Sequence, residues 1–103
     1  MKCVYPACFY EELDGSYSVV LPDFPLATCG SDLADAMYMA SDAAAGRIIM
    51  ALENGEALPA VSKLDSVVPQ SANEFTSLVL IDTDSCEQNY ATKPTSPSVL
   101  TAP

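Results

Sequence analysis

The side chains best suited to chemistry in this chain are cysteines and carboxylates, because the sequence contains no histidine. The four cysteines stand at positions 3, 8, 29 and 86, and no two of them form a CxxC pair. These spacings do not match a zinc ribbon, and nothing marks the chain as exported to a compartment that favours disulfides. Without histidine as a base, cysteine or serine catalysis is not expected. We predict free, mostly buried thiols.

The carboxylates are numerous but are not arranged like a nuclease centre. Two-metal phosphoryl transfer needs several convergent acids, usually with one on the first strand, and residues 3–10 contain none. Asp82 and Asp84 follow a predicted strand, and Asp42 lies within a predicted helix, so the bridging position is not filled. The four glycines form no phosphate-cradling loop. We therefore predict a protein that is not an enzyme and binds no metal or cofactor.

The charge of the chain favours a protein partner over a nucleic acid. Fourteen acidic residues against four basic residues give a formal net charge of −10. Such a chain repels phosphates, whose non-specific binding depends on Lys and Arg. It attracts a basic partner and accelerates their encounter. The acidity would equally keep a small domain soluble, and charge alone does not separate these two interpretations.

The first thirty residues predict three strands. Residues 3–10 read as a strand that is fairly apolar on both faces, and residues 17–21 as a strand with Tyr17, Val19 and Leu21 on one face. Between them stands Asp14-Gly15, a pair typical of hairpin turns. Pro6 cannot donate a ladder hydrogen bond, which suggests an edge position or a bulge for the first strand. Two prolines then bracket a rigid, exposed loop with Phe24 at its tip. A short third strand at 26–29 ends at Gly30.

A long helix and a fourth strand follow. Ser31 suits the helix N-cap, and Asn54-Gly55 is a helix stop. The core-facing stripe is predicted to consist of Leu33, Met37, Ala40, Ala44, Ile48 and Leu52. Residues 56–73 read as a crossing loop, with a short strand or turn at 61–68. The near-continuous apolar character of 74–81 predicts an interior strand covered on both faces.

The order β-β-β-α-β predicts an α+β fold, with the helix packed on a small, mostly antiparallel sheet. We expect one domain over residues 1–82 and a polar, proline-rich tail over 83–103. No apolar run approaches the roughly 18 residues of a membrane span, and the N-terminus does not resemble a signal peptide. A cytoplasmic protein is expected. Dimerisation would help a domain this small to bury its surface.

Several short motifs resemble the HicB-like antitoxin family, in an order and spacing that together are specific. The first 36 residues contribute Tyr5-Pro6-Ala7, Asp14-Gly15, Tyr17, Leu21-Pro22-Asp23-Phe24-Pro25, Thr28, Gly30, Leu33 and Ala36. After the helix, the family's exit pattern is matched by Asn54-Gly55-Glu56 and Pro59. Leu26-Ala27 departs from the usual Gly-Cys after the proline loop. The resemblance extends through the fourth strand.

This resemblance implies a partial ribonuclease-H-like fold of the HicB N-terminal type. It also implies oligomerisation and pairing with a HicA toxin, a small basic protein that cleaves RNA. Family members often add a C-terminal DNA-binding domain, which we do not expect here, because the tail has one lysine after position 63 and no recognition helix. Direct nucleic-acid binding is therefore not expected.

The leading hypothesis is an antitoxin that binds its toxin through the hairpin turn and the proline loop. The acids would meet a basic surface while an aromatic side chain supplies an apolar anchor. The predicted contact residues are Glu11, Glu12, Asp14, Asp23, Phe24 and Pro25. The alternative is a non-catalytic structural or regulatory domain, a homodimer or higher oligomer without a toxin partner, whose 94–103 segment adds a strand to a second subunit.

Overall fold

The computed structural model describes residues 1–84, in which one long helix packs on a four-stranded antiparallel sheet. The elements are β1 Lys2–Glu11, β2 Tyr17–Leu21, β3 Leu26–Gly30, α1 Leu33–Glu53 and β4 Glu74–Asp82. A 3-10 turn at Leu64–Ser66 lies in the segment between α1 and β4. The predicted order β-β-β-α-β is confirmed. Almost all of the predicted tail lies outside the described residues, so its boundary stays a prediction.

The β1–β2 hairpin forms at the predicted turn. Gly15 adopts a φ of +89°, a value that glycine reaches without steric cost. The Glu12 N–H donates to the Ser16 carbonyl at 2.8 Å, and the Gly15 N–H donates to the Glu12 carbonyl at 3.1 Å. The turn therefore closes the hairpin and sets the register of β1 against β2, in which Glu11 lies opposite Tyr17.

The strand order β3-β2-β1-β4 reverses two predictions, since β1 is interior and β4 lies at an edge. β1 pairs with β4 from Lys2 to Tyr10, but its register with β2 begins only at Cys8. Pro6 therefore lies beyond the end of the β2 pairing, where its missing N–H breaks no ladder bond to β2. The apolar run of β4 is buried on the helix side, whereas its outer face touches the segment of the 3-10 turn but leaves Leu78 and Leu80 exposed.

The helix begins one residue later than predicted, because Asp32 and not Ser31 is the N-cap. An Asp32 carboxylate oxygen accepts the Asp35 N–H at 2.8 Å. The Asp35 carboxylate in turn accepts the Ser31 N–H at 2.9 Å. The helix stops as predicted, with Gly55 at a φ of +71°. Within residues 1–84, no helix is long and apolar enough to cross a membrane.

The buried face of α1 is formed mainly by alanines. Ala36, Ala40 and Ala44 recur every four residues and are fully buried, whereas Met37 and Leu52 of the predicted stripe are exposed. Small side chains let the helix lie close to the sheet, so the larger ones are left on other faces. The core that results contains Tyr5, Ala7, Phe9, Val19, Leu21, Phe24, Ala36, Ala40, Ala44, Ala45, Ile48, Val79 and Ile81.

Candidate protein-binding site

The six residues predicted to bind a partner lie at opposite ends of β2. The strand has five residues, which at about 3.3 Å per residue separates its two flanking turns by roughly 17 Å. The two groups are Glu11, Glu12 and Asp14 where the chain enters β2, and Asp23, Phe24 and Pro25 where it leaves. The structure does not bring them together as one surface.

The turn from Glu11 to Ser16, called the hairpin tip from here on, holds two of its three acids, Glu12 and Asp14, through hydrogen bonds. An oxygen of Glu12 accepts the Ser18 hydroxyl at 2.6 Å. The Asp14 carboxylate accepts the Ser16 hydroxyl at 2.6 Å and the Ser16 N–H at 3.0 Å. These bonds, the hydroxyl bond foremost, lower the pKa of Asp14. The hairpin tip therefore presents ordered negative charge at neutral pH.

Leu13, at the centre of the hairpin tip, was missed by the sequence predictions. Its side chain is fully exposed, at 105% of the reference surface, and no other large apolar side chain in residues 1–84 is as exposed. The sequence did contain a signal, because a leucine stands among acidic and turn-forming residues where polar side chains are the norm. The hairpin tip thus combines an exposed apolar side chain with acids on either side.

Phe24 does not project into solvent, so the predicted exposed apolar anchor is wrong. Its side chain is only 4% exposed, and its ring packs edge-to-face on Tyr5 with the centroids 4.5 Å apart. The turn between the two prolines folds back on the core, and the Phe24 N–H donates to the Leu21 carbonyl at 3.2 Å. Phe24 therefore stabilises the domain instead of offering a free contact.

Asp23 and Pro25 remain partly accessible beside Phe24. The two Asp23 oxygens accept the Ser62 N–H at 2.9 Å and the Ser62 hydroxyl at 2.5 Å, so this carboxylate ties the turn to the segment after α1. Pro25 is exposed and lines a groove of about 600 Å³ together with Arg47 and Met50 of the helix. This end of β2 therefore presents charges of both signs, unlike the hairpin tip.

Comparison with protein families gives a match over most of the chain. The model of the HicB_like antitoxin of bacterial toxin–antitoxin systems matches residues 5–95. The chain belongs to this family. The resemblance in the motifs around β1, the proline turn and the helix exit is thereby confirmed for the HicB-like chain.

Solved structures agree with this assignment. One similar chain comes from a structure described as a toxin–antitoxin complex from Streptococcus pneumoniae. It is 25% identical in sequence, with a TM-score of 0.74, and the match covers 100% of the HicB-like chain and 82% of the chain in that complex. The N-terminal domain of Burkholderia pseudomallei antitoxin HicB is 24% identical, with a TM-score of 0.67. This match covers 78% of the HicB-like chain and 99% of the Burkholderia domain. The predicted HicB N-terminal fold is confirmed. A comparison with curated protein sequences gives no significant match.

The motifs that the HicB-like chain shares with its family have a structural role here. The Tyr5 hydroxyl donates to the Pro59 carbonyl at 2.7 Å, and the Tyr5 ring contacts Phe24. Burial, followed by the charges of Cys3 and Asp23, raises the pKa of Tyr5, so the phenol stays a neutral donor. The first strand, the proline turn and the helix exit are thereby joined at one buried point.

The acids considered for a nuclease centre are engaged elsewhere in the HicB-like fold. An Asp82 oxygen lies 4.0 Å from the Lys2 ammonium, and an Asp84 oxygen lies 2.7 Å from the Met1 amine. Asp42 is half-buried on α1. In the described part of the chain, no group of three His, Cys, Asp or Glu side chains is placed to hold a metal ion.

The cysteines are free within the described residues, and Cys86 lies outside them. Cys3 and Cys8 are half-buried, whereas Cys29 is exposed, so the prediction of mostly buried thiols is wrong for Cys29. Burial raises the pKa of Cys3 and of Cys8, and for Cys8 the nearby Glu74 carboxylate adds to the effect. Both thiols are therefore protonated at neutral pH and are poor nucleophiles.

Proposed function

We propose that this HicB-like antitoxin binds and neutralises a small, basic, RNA-cleaving toxin of the HicA type. Membership of the family over residues 5–95 is the observation that carries the proposal. The likeness to a chain from a toxin–antitoxin complex supports it. The net charge of −10 supports it further, because a basic partner is attracted to such a surface. An antitoxin bound over the toxin's RNA-binding surface would exclude the RNA.

The hairpin tip is the contact surface that the geometry favours. Its acids are exposed or held by hydroxyl groups, so they face a partner without rearranging. Leu13 makes no contact that binding would have to break, and its burial against a toxin would add apolar area at the centre of a charged rim. Asp23 and Pro25, predicted as part of the same contact surface, lie at the other end of β2, and their contact with a toxin stays a prediction.

We infer that the protein acts by binding alone, without a cofactor. The engagement of Asp82 and Asp84 with basic groups, and the raised pKa values of Cys3 and Cys8, both support this inference. Direct nucleic-acid binding is not part of the proposal, because the chain has only four basic residues. A cytoplasmic location fits the free thiols of the described residues.

The proposal is tested with a small, basic toxin of the HicA type, sought first among the reading frames that neighbour the gene for this chain. Calorimetric titration of the full chain should give saturable binding, and the chain should stop that protein from cleaving RNA once it is in molar excess. A chain that is folded by circular dichroism but neither binds nor inhibits would contradict the proposal.

Variants of the hairpin tip test the contact surface. We expect Leu13→Ala to weaken binding on the order of tenfold, because it removes a central apolar contact, and Glu11→Lys to weaken it by charge repulsion. Leu52→Ala and Glu53→Lys are the matched controls, since both residues are exposed on α1. If the hairpin-tip variants lose no more toxin affinity than the α1 variants do, the toxin does not bind at the hairpin tip.

A further inference from the structure

A pocket of about 450 Å³ lies between the sheet and the segment that joins α1 to β4. Its floor includes Cys8 and Val20, which lie opposite each other on β1 and β2 and face away from the helix, because their neighbours in the chain are core residues. Its walls include Val67 and Val68 of the joining segment and Glu74 at the start of β4. The volume is in the range of small-ligand sites. This cavity is called the Glu74 pocket from here on.

The Glu74 carboxylate has one oxygen engaged and the other accessible. Its Oε1 accepts the Gln70 N–H at 2.5 Å and the Cys8 thiol at 3.6 Å. Within residues 1–84, no hydrogen bond reaches Oε2, and neither of the two ion pairs involves this carboxylate. Every buried side-chain oxygen or nitrogen in the same residues has a hydrogen-bond partner, so Oε2 is open to solvent. The pocket therefore presents a negative acceptor that is held in place.

The polar side chains around this carboxylate already have partners for their donors. The Ser62 hydroxyl donates to an aspartate, and the Ser66 hydroxyl donates to a backbone carbonyl at 2.7 Å. The side-chain amide of Gln70 donates to the Val68 carbonyl at 3.3 Å. The pocket thus offers little to an anion, while its valines suit an aliphatic chain and its carboxylate suits a cation.

The Glu74 pocket adjoins the hairpin tip. The Glu11 N–H donates to the carbonyl of Asn73, the residue before Glu74, at 3.1 Å. On β2, Ser18 donates its hydroxyl to an acid of the hairpin tip, and it lies two residues from Val20 on the same face of the sheet. A partner that binds at the hairpin tip therefore meets the pocket along a continuous surface.

We propose that the Glu74 pocket receives a lysine or arginine side chain of the toxin, with the aliphatic stem against the valines and the charged group bound to Oε2 of Glu74. This inference rests on the proposed function, which supplies the basic partner. Lysine and arginine cover apolar surface with their stems while their charged ends keep polar contacts. A charge-assisted bond to a carboxylate is stronger than a neutral one. The pocket would thus select, among basic proteins, those with such a side chain at the right distance from the contact with Leu13.

A lysine derivative tests the pocket without any toxin. N-acetyl-lysine methylamide, added to the full chain with isotopically labelled valine methyl groups, should shift the resonances of Val20, Val67 and Val68 with a dissociation constant in the millimolar range. N-acetyl-norleucine methylamide is the matched uncharged probe and should bind more weakly. Glu74→Gln keeps the side-chain size and an acceptor for the Gln70 N–H. It should weaken binding of the lysine derivative roughly tenfold and leave that of the norleucine derivative unchanged.

Titration with the HicA-type toxin tests the occupant. Glu74→Gln should weaken toxin binding roughly tenfold, because it removes one charge-assisted bond. Glu53→Gln is the matched control, since it makes the same change of net charge at an exposed position on α1 and should bind as the wild type does. Val20→Phe fills the pocket without changing a charge, so it should weaken the binding of both the toxin and the lysine derivative. Circular dichroism confirms that each variant is folded.

Several results would overturn the proposal. They are the absence of valine shifts with the lysine derivative, equal binding of the lysine and norleucine derivatives, and equal toxin affinities of Glu74→Gln and Glu53→Gln. The last result, with toxin binding still weakened by Leu13→Ala, would restrict the toxin to the hairpin tip and leave the proposed function intact. A chain that binds the lysine derivative but no toxin would instead contradict the proposed function, and the pocket would then be a site for a free amine.

Discussion

At Gly30 the end of β3 lies against the first turn of α1 too closely for any side chain. A Cβ at this position would lie 2.2 Å from the Ala36 nitrogen and 2.5 Å from its Cα, both backbone atoms that cannot move aside alone. The sequence showed this glycine as the end of a strand, without indicating the close approach. Gly15 and Gly55 were easier to interpret, because Asp-Gly and Asn-Gly indicate positive φ locally.

Gly30→Ala should therefore destabilise the domain by about 2–3 kcal/mol, the cost of overpacking against fixed backbone. Urea unfolding of the wild type and the variant measures the difference. Cys29→Ala, at the neighbouring position, is the control. Because the Cys29 side chain is exposed, this substitution should leave the free energy of unfolding nearly unchanged. A Gly30→Ala protein as stable as the wild type would mean that β3 and α1 are farther apart than described.

At the scale of elements, the approach of α1 to the sheet depends on its alanines. Ala36, Ala40 and Ala44 are completely buried at four-residue intervals. The sequence predicted the helix and its end, but it placed Met37 and Leu52 on the buried face because hydrophobicity alone favours large side chains there. Packing decided otherwise, since the distance between helix and sheet leaves room only for methyl groups along most of the contact.

Ala40→Leu should destabilise the fold by about 1–3 kcal/mol, because the added atoms force the helix away from the sheet. Ala34→Leu is the matched control on the same helix. Ala34 is exposed, so its substitution should change the unfolding free energy by less than about 0.5 kcal/mol. Chemical denaturation of both variants provides the comparison, and similar losses in the two would contradict the described orientation of α1.

At the scale of the whole molecule, the net charge of −10 should act mainly on the rate at which a basic toxin is captured. We expect the association rate constant to fall roughly tenfold between about 0.1 M and 1 M salt, because the screening length falls to a few ångströms. Stopped-flow mixing measures this rate. The dissociation rate should respond more to Leu13→Ala than to salt. An association rate that is independent of salt would show that steering plays no part.

The sequence by itself determined the order of elements, the hairpin turn, the end of the helix, the acidity and the family. These features depend on neighbouring residues or on composition. Only the tertiary structure decided that β1 is interior and β4 an edge, that Phe24 is buried while Leu13 is exposed, and that the predicted contact residues separate into two groups. Strand order and side-chain burial depend on residues far apart in the chain, such as Tyr5, Phe24 and Pro59, and no local pattern records those contacts.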